Sequence, residues 1–211
     1  MAQDRHLAVA REYSHLADRY EDKWAFYVEA TVRETMYRLP PDLGHRVLDI
    51  ACGTGALLRA VRAAYPAAEL TGTDLSPEML AQARKNLPAE VALHTASADD
   101  LPFPDDCFDT VVTTSAFHYF QLPFDVLREV HRILRPGGRL ILSDWCDDYF
   151  SCRVVDRILR LFDAAHYRCY DSTDCHMLLE ETGFEVANMD RYKISWLWGL
   201  MTATARKPSL R

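Results

Sequence analysis

Short apolar runs alternate with amphipathic segments through the middle of the chain. The apolar runs predict strands at 46–51, 69–73, 91–95, 108–114 and 139–143. Apolar residues at helical spacing predict helices at 55–65, 77–86 and 123–134. Strands that alternate with helices form βαβ units, so the pattern predicts an α/β fold with a mainly parallel sheet and helices on both faces.

The two ends of the chain follow different patterns. From Asp4 to about Leu39 the apolar residues recur at helical spacing, which predicts two helices with a polar break at residues 21–22. The last third predicts helices near 151–166 and 173–182, then strands at 184–194 and 196–206. Because the connection between these two strands is too short for a crossover helix, we expect them to be antiparallel.

Charge and composition narrow the range of partners and locations. The 211 residues carry 24 Lys and Arg against 31 Asp and Glu, and no basic block stands out. A nucleic-acid partner is therefore not expected, since phosphate backbones are bound by clustered basic residues. No run approaches the roughly 20 apolar residues of a membrane span, and the N-terminus lacks the order of a secretory signal. We therefore expect a cytoplasmic protein without a membrane span.

The segment Val47–Gly55 predicts a buried strand that runs into a glycine turn and then a helix. Gly53 and Gly55 let the backbone approach a ligand closely, and the helix N-terminus offers unpaired N–H groups. A dinucleotide-binding turn would carry a third glycine where Leu58 stands. The acid within the strand, Asp49, favours instead a cofactor with a cationic amine and a sulfonium.

Two further segments complete a pattern for binding a nucleoside. Asp74 lies about 20 residues past Gly55, the spacing at which an acid accepts hydrogen bonds from ribose hydroxyls. The alternative is that Asp74 caps the helix that begins after Ser76. The acidic, proline-rich loop 97–104 follows the third strand, where an acid can accept a hydrogen bond from an adenine amine. An ordinary surface loop has the same composition.

Together these segments resemble the class I S-adenosylmethionine-dependent methyltransferases, and within them the small-molecule enzymes of the ubiquinone and menaquinone type. Four motifs carry the resemblance in chain order, at residues 47–55, 73–80, 98–103 and 134–140. The resemblance implies a Rossmann-like three-layer α/β/α sandwich. Its seven-stranded, mostly parallel sheet would have the order 3-2-1-4-5-7-6, with strand 7 antiparallel. Residues 1–39 would form an N-terminal helical lid, and residues 40–211 the methyltransferase domain as one structural unit.

The resemblance also implies S-adenosylmethionine as cofactor and S-adenosylhomocysteine as its product. The methionine part would lie against the glycine turn, the ribose against Asp74, and the adenine against the loop after the third strand. The predicted cofactor contacts are Tyr20, Asp49, Ala51, Cys52, Gly53, Thr54, Gly55, Asp74, Leu75, Met79, Ala98, Asp99, Asp100 and Thr114.

The catalytic candidates follow the fourth and fifth predicted strands. His118 is the preferred base, because its ordinary pKa of about 6.5 suits proton acceptance at neutral pH. Tyr119 and Asp144 are weaker candidates, and a packing role for His118 fits the sequence equally well. An acceptor pocket is expected from aromatic side chains near the two ends of the chain, namely Trp24, Tyr149, Phe150, Phe162, Trp196 and Trp198.

The predicted activity is methyl transfer to a small-molecule acceptor, aromatic or lipid-like. Three alternatives stay open: a non-catalytic cofactor-binding protein, a thiol or metalloid methyltransferase and, least favoured, an NAD-dependent oxidoreductase. No metal is expected, because the six cysteines, which should be free thiols, show no C-x-x-C spacing. The sequence does not distinguish a monomer from a homodimer.

Overall fold

The strands pair into one seven-stranded sheet in the computed structural model, which describes residues 13–14, 17–163 and 166–209. They are β1 (Arg46–Ile50), β2 (Glu69–Asp74), β3 (Ala92–Thr95), β4 (Phe108–Thr114), β5 (Leu134–Trp145), β6 (Glu185–Lys193) and β7 (Gly199–Arg206). Their order across the sheet is β3-β2-β1-β4-β5-β7-β6. Strands β1 to β5 pair in parallel, and β7 pairs antiparallel with both β5 and β6. The predicted order and the antiparallel seventh strand are confirmed.

Six helices accompany the sheet in the described part of the chain. They are α1 (Tyr20–Arg38), α2 (Ala56–Ala64), α3 (Pro77–Asn86), α4 (Pro123–Ile133), α5 (Phe150–Phe162) and α6 (Ser172–Glu181). Short 3₁₀ helices lie at Ala17–Arg19 and Phe117–Tyr119. None of the described helices combines the length and apolar character needed to cross a bilayer.

The sheet separates two apolar cores, because successive side chains of a strand point to opposite faces. On one face Leu48 and Val111 pack with residues of α4 and α6. On the other face Val47 and Val112 pack with residues of α2 and α3. The expected three layers are therefore present, and the carboxyl ends of the parallel strands meet at one edge, where open α/β sheets bind ligands.

The structure moves several predicted boundaries. Helix α1 is distorted at Trp24 (φ −113°, ψ 16°), and not at residues 21–22 as predicted. Helix α5 ends at Phe162, four residues before the predicted end at 166. Most of the helix predicted between Asp4 and residue 21 lies outside the described residues. Strand β7 begins three residues later than predicted, since 194–198 closes a turn in which the backbone N–H of Ile194 donates to the carbonyl of Trp198.

Candidate active site

A cavity opens at the carboxyl ends of β1, β2 and β4, with about 930 Å³ of empty space that includes the solvent at its mouth. A second, smaller cavity lies beneath α1, with about 480 Å³ of empty space measured in the same way, and the glycine turn borders both. Predicted cofactor contacts that line the larger cavity are Tyr20, Ala51, Gly53, Asp74, Leu75, Met79, Ala98, Asp99 and Thr114. Those that line only the smaller cavity are Asp49, Cys52 and Thr54. Gly55 and Asp100 line neither.

Asp74 holds the glycine turn and the start of α3 together. Its Oδ2 accepts a hydrogen bond from the backbone N–H of Gly53 at 2.8 Å, and its Oδ1 accepts one from that of Ser76 at 2.9 Å. The Ser76 hydroxyl in turn accepts from the N–H of Met79 and caps α3. The carboxylate therefore has a structural role, and it also borders the cavity.

The glycine turn adopts the left-handed conformation that glycine favours. Gly53 has φ +54°, and a Cβ placed there would meet no atom within 4 Å, so the turn leaves open space beside the cavity. Ala51 has φ +57° without being glycine, a conformation that costs about 1–2 kcal/mol. Gly55 serves packing instead, because a Cβ there would lie 2.7 Å from Cδ1 of Leu87.

Two carboxylates, the buried Asp49 and the partly buried Asp74, give this part of the site its electrostatic character. Burial raises the pKa of Asp49 well above its ordinary value, and the nearby charge of Asp74 raises it further. Burial also raises the pKa of Asp74, although backbone hydrogen bonds from Ser76 and Gly53 oppose the shift. Among the described residues no lysine or arginine pairs with either acid. A cationic ligand would relieve their unfavourable burial, whereas a diphosphate would add to it.

The short segment of the N-terminus that the structure describes contacts both sides of the larger cavity. The Tyr13 hydroxyl donates to the hydroxyl of Tyr119 at 2.8 Å. The Ser14 hydroxyl donates to Oε2 of Glu78, at the start of α3, at 2.5 Å. The rings of Tyr13 and Tyr20 lie 5.8 Å apart. The segment therefore bridges the cavity from α3 to the loop after β4.

The three predicted catalytic residues fall into two layers. Tyr119 lines the larger cavity, whereas His118 and Asp144 are buried and line neither cavity. The His118 Nδ1 lies 2.7 Å from Oδ1 of Asp144, and its ring stacks on Trp145 with centroids 4.6 Å apart. The Nε2 atom of His118 is buried and has no hydrogen-bond partner in the part of the chain that the structure describes. The sequence could not show this burial, because His118 follows a strand in a short 3₁₀ helix without periodicity.

Sequence reasoning missed several residues that line the larger cavity: Ala96, Gln121, Leu122 and Val126. Most of them lie in loops, where no repeating pattern marks the side that faces inward. Ser115 has φ +55°, and its Oγ lies 2.7 Å from the hydroxyl of Tyr27. Tyr27 also accepts a hydrogen bond from Nε1 of Trp145 at 2.6 Å. This chain of contacts fixes α1 against the ends of β4 and β5.

The aromatic acceptor pocket predicted from the sequence is not formed by the expected residues. Phe150, Phe162 and Trp196 are exposed, and none of them lines either cavity. Trp198 packs instead against Tyr27, with ring centroids 5.7 Å apart. The prediction was wrong because aromatic composition alone does not tell which side of an element faces the protein.

The cysteines of the last third are protonated thiols within the fold. Burial raises the pKa of Cys146 to about 12 and raises those of Cys169 and Cys175 further. Cys169 lies beside Asp156 and His166, with one ligand atom of each within 4.8 Å of the others. Asp156 already accepts hydrogen bonds from Nε2 of His166 and from the N–H of Cys169. Hydrogen bonding accounts for this cluster, so we assign no metal to it.

The strand order, the glycine turn and the acid at the end of β2 define the class I S-adenosylmethionine-dependent methyltransferase architecture. Residues 48–142 match the family described as "Methyltransferase domain". The motifs at 47–55, 73–80, 98–103 and 134–140, on which the sequence resemblance rested, fall almost wholly within that match.

Named relatives include quinone methyltransferases. Over 103 residues the chain is 42% identical to a demethylmenaquinone methyltransferase of Thermus thermophilus, with 47% of each chain covered. It is 28% identical to the ubiquinone/menaquinone biosynthesis C-methyltransferase UbiE of Rickettsia bellii, over 89% of this chain and 88% of the relative. The chain spans less than half the length of the first two curated relatives that it matches.

A solved structure shares the fold over nearly the whole chain. It is the 1,6-didemethyltoxoflavin-N1-methyltransferase of Burkholderia thailandensis, with 1,6-didemethyltoxoflavin and S-adenosylhomocysteine bound. The TM-score is 0.78 at 20% sequence identity, covering 99% of this chain and 91% of that one. At this identity the likeness concerns the fold.

Proposed function

We propose that the protein is an S-adenosylmethionine-dependent methyltransferase that acts on a small-molecule acceptor. The observation that carries the proposal is the pair of acids, the buried Asp49 and the partly buried Asp74, beside the open space at Gly53. When bound, S-adenosylmethionine supplies an electrophilic methyl group on a sulfonium. The cavity floor has two carboxylates that pair with no lysine or arginine among the described residues. It therefore suits the sulfonium and the ammonium of S-adenosylmethionine, and it disfavours the diphosphate of NAD.

The proposed contacts follow the two cavities. Asp49, with Cys52 and Thr54 beside it, would hold the cationic amino-acid part. Asp74 would accept hydrogen bonds from the ribose hydroxyls. The adenine would lie among Leu75, Met79, Ala98 and Asp99, with Tyr20, Ala51 and Thr114 completing the wall. Gly55 would act through the packing of α2 on α3, and Asp100 would shape the loop, since it forms a bridge with Ser97.

Residues 1–39 are proposed to act as a lid over the domain formed by residues 40–211. The contacts of Tyr13 with Tyr119 and of Ser14 with Glu78 support this role, as does the cavity beneath α1. Methyl transfer is an in-line displacement, so it needs the acceptor held in a fixed geometry and water excluded. A closed lid would satisfy both needs.

Tyr119 is proposed to contact the reacting groups, with His118 and Asp144 as positioning residues. This assignment departs from the sequence-based preference for His118 as base, because only Tyr119 lines the cavity. Asp144 accepts from the ring and from the backbone N–H of His118, which fixes the 117–119 turn that carries Tyr119. The acceptor's proton would then pass to Tyr119. Alternatively, the acceptor would bind already ionised and would need no base.

The acceptor is proposed to be an aromatic or lipid-like small molecule, in keeping with the quinone substrates that the relatives' names indicate. The net charge of −7 supports a small molecule over a nucleic acid. All six cysteines are free, which supports a reducing, cytoplasmic location. Burial raises the pKa values of Cys146, Cys169 and Cys175, which disfavours their binding a metalloid acceptor as thiolates.

The test combines binding and turnover. Calorimetry should show binding of S-adenosylhomocysteine and none of NAD. Asp74→Ala should weaken that binding by about 10- to 100-fold, since each hydrogen bond to a charged group contributes about 1.5–3 kcal/mol. Asp125→Ala, which removes an exposed acid on α4, serves as the matched control.

A screen of aromatic and lipid-like acceptors, read by a mass gain of one methyl group, separates an enzyme from a binding protein. Binding of S-adenosylhomocysteine without methylation of any acceptor would favour the non-catalytic alternative. Binding of NAD in place of S-adenosylhomocysteine would overturn the proposal.

A further inference from the structure

Helix α5 exposes a stripe of large apolar side chains. Phe150, Val154, Ile158 and Leu161 recur every three or four residues, so they lie on one face of the helix. Their exposed fractions are 78%, 38%, 51% and 78%, and that of Phe162, at the end of the helix, is 84%. Exposed apolar residues are ordinary when scattered, but a continuous stripe on one helix marks an interaction surface.

The stripe is not needed to hold α5 in place. The opposite side of the helix is already packed, with Cys152 and Asp156 buried and with Val155 and Leu159 against the cluster around Tyr27. Helix α5 therefore carries more apolar side chains than its contact with the rest of the protein buries. Its outer half has no partner among the described residues.

A tryptophan lies next to the first turn of α5. The 194–198 turn contacts the helix, because the Cys152 thiol lies 3.8 Å from the carbonyl of Leu197 and accepts from the N–H of Gly199 at 3.2 Å. Trp196, in the same turn, is 83% exposed. We call the exposed side chains of 150, 154, 158, 161 and 162 the apolar surface.

Basic residues border the apolar surface along one side. Arg153, Arg157 and Arg160 are exposed on α5, and the only acid of the helix, Asp156, is buried. Arg153 pairs with Asp147 and Arg160 with Asp156. This edge therefore presents three guanidinium groups, of which that of Arg157 has no paired carboxylate among the described residues, in a protein of net charge −7.

We propose that the apolar surface docks on an anionic lipid membrane. A helix that combines an apolar face with a basic flank lies in the plane of the membrane, with its apolar side chains at the boundary of headgroups and acyl chains. The arginines would meet lipid phosphates, and Trp196 suits the interface because its ring is apolar and its N–H is polar.

Charge favours this occupant over a second copy of the chain. Two copies that met through this face would bring their arginine edges close together, whereas anionic headgroups neutralise them. The proposal stands on the surface alone and does not depend on the reaction that the cavity performs. Surface docking also needs no membrane-spanning helix.

Sedimentation of the full chain with lipid vesicles tests the proposal. We expect binding to vesicles of phosphatidylcholine mixed with phosphatidylglycerol, weaker binding to phosphatidylcholine alone, and loss of the difference in high salt. Replacing Phe150, Leu161 and Phe162 together by serine should weaken binding about a hundredfold. Arg157→Gln should weaken binding to the anionic vesicles about fivefold.

Matched controls replace exposed residues elsewhere. Tyr37→Ser removes an equally exposed aromatic on α1, and Arg33→Gln removes an exposed arginine there. Both should bind as the unchanged protein does. Because every replaced side chain is exposed, thermal unfolding should be the same for all variants, which separates lost docking from lost folding.

Three results would overturn the proposal. One is a failure of the unchanged protein to sediment with anionic vesicles. Another is an equal loss of binding in the control variants. The last is a dimer in sedimentation velocity that the serine variant converts to a monomer, since the surface would then be occupied by a second copy. Affinity for S-adenosylhomocysteine, measured in parallel, reports on the cavity independently.

Discussion

His118 and Asp144 form a buried pair behind the cavity wall, with Nδ1 of the histidine 2.7 Å from Oδ1 of the aspartate. The other carboxylate oxygen accepts a hydrogen bond from the backbone N–H of His118 at 2.9 Å. One carboxylate therefore fixes both the ring and the backbone of the turn. The next residue, Tyr119, lines the cavity, so the pair determines where that side chain lies.

Removal of the Asp144 carboxylate should destabilise the protein strongly. Asp144→Ala leaves the ring and the backbone N–H of His118 buried without an acceptor, which should lower the free energy of unfolding by about 3–5 kcal/mol. Asp144→Asn keeps one acceptor and should cost less. Urea denaturation measures both, with the exposed Asp125→Ala as reference. Equal stability of Asp144→Ala and the reference would contradict the positioning role.

The hydrogen bond between Tyr13 and Tyr119 should contribute to closing the cavity. Tyr13→Phe and Tyr119→Phe should each weaken binding of S-adenosylhomocysteine by about 2- to 10-fold, because a neutral hydrogen bond contributes about 0.5–1.5 kcal/mol. The double variant should bind no more weakly than the worse single variant. Calorimetry on all four proteins closes the double-mutant cycle. Fully additive losses would show that the two hydroxyls act independently of each other.

The sequence predicted the parts of this protein that depend on local patterns. Val47 and Leu48 belong to an apolar run broken only by Asp49, which is typical of a strand buried on both faces, and the structure places them in opposite cores. The glycine turn and Asp74 were predictable because their backbone requirements are local. The strand order followed from the resemblance, since no local pattern determines which strands are neighbours.

The sequence could not predict which side of an element faces the protein where both sides are apolar. Helix α5 carries Phe150 and Leu161 on its outer side and Leu159 on its inner side, and helical spacing gives the same amphipathic pattern for either orientation. The burial of His118 was hidden for a related reason. Its environment is supplied by Asp144 and Trp145, which are distant in sequence.

The acids of the cavity floor should make cofactor binding depend on pH. Burial raises the pKa of Asp49, so this carboxyl takes up a proton at a higher pH than an exposed aspartate does. As the pH falls through that raised pKa, Asp49 loses its charge, and affinity for the cationic S-adenosylmethionine should fall by at most about tenfold per pH unit. S-adenosylhomocysteine lacks the sulfonium and should show a weaker dependence. Calorimetry across the pH range measures both.

The same acid should cost stability when it is ionised. Because the pKa of Asp49 is higher in the folded than in the unfolded state, stability falls as the pH rises from the unfolded to the folded value. Asp49→Asn removes this cost, so it should raise Tm at neutral pH while it weakens binding of S-adenosylmethionine and flattens the pH dependence. Asp125→Asn should change neither. A lower Tm for Asp49→Asn with unchanged binding would contradict the interpretation.

Alanine substitutions at three glycines distinguish an effect on packing from an effect on ligand binding. A Cβ at Gly72 would lie 2.8 Å from Cys52, Leu58 and Leu93, so Gly72→Ala should lower the free energy of unfolding by about 1–3 kcal/mol. Gly53→Ala meets open space beside the cavity but strains a backbone at φ +54°, at a cost of about 1–2 kcal/mol. Gly137→Ala carries the same kind of strain at φ +79°, away from the cavity.

Urea denaturation and calorimetry on these three variants should give different rankings. All three should be less stable than the unchanged protein. Only Gly53→Ala should also lose most of its affinity for S-adenosylhomocysteine, because its methyl group occupies space that the proposed ligand needs. Gly137→Ala, with matched backbone strain, should bind normally. If the affinities of Gly53→Ala and Gly137→Ala fell equally, the glycine turn would be a feature of the fold alone and the cofactor would have to lie elsewhere.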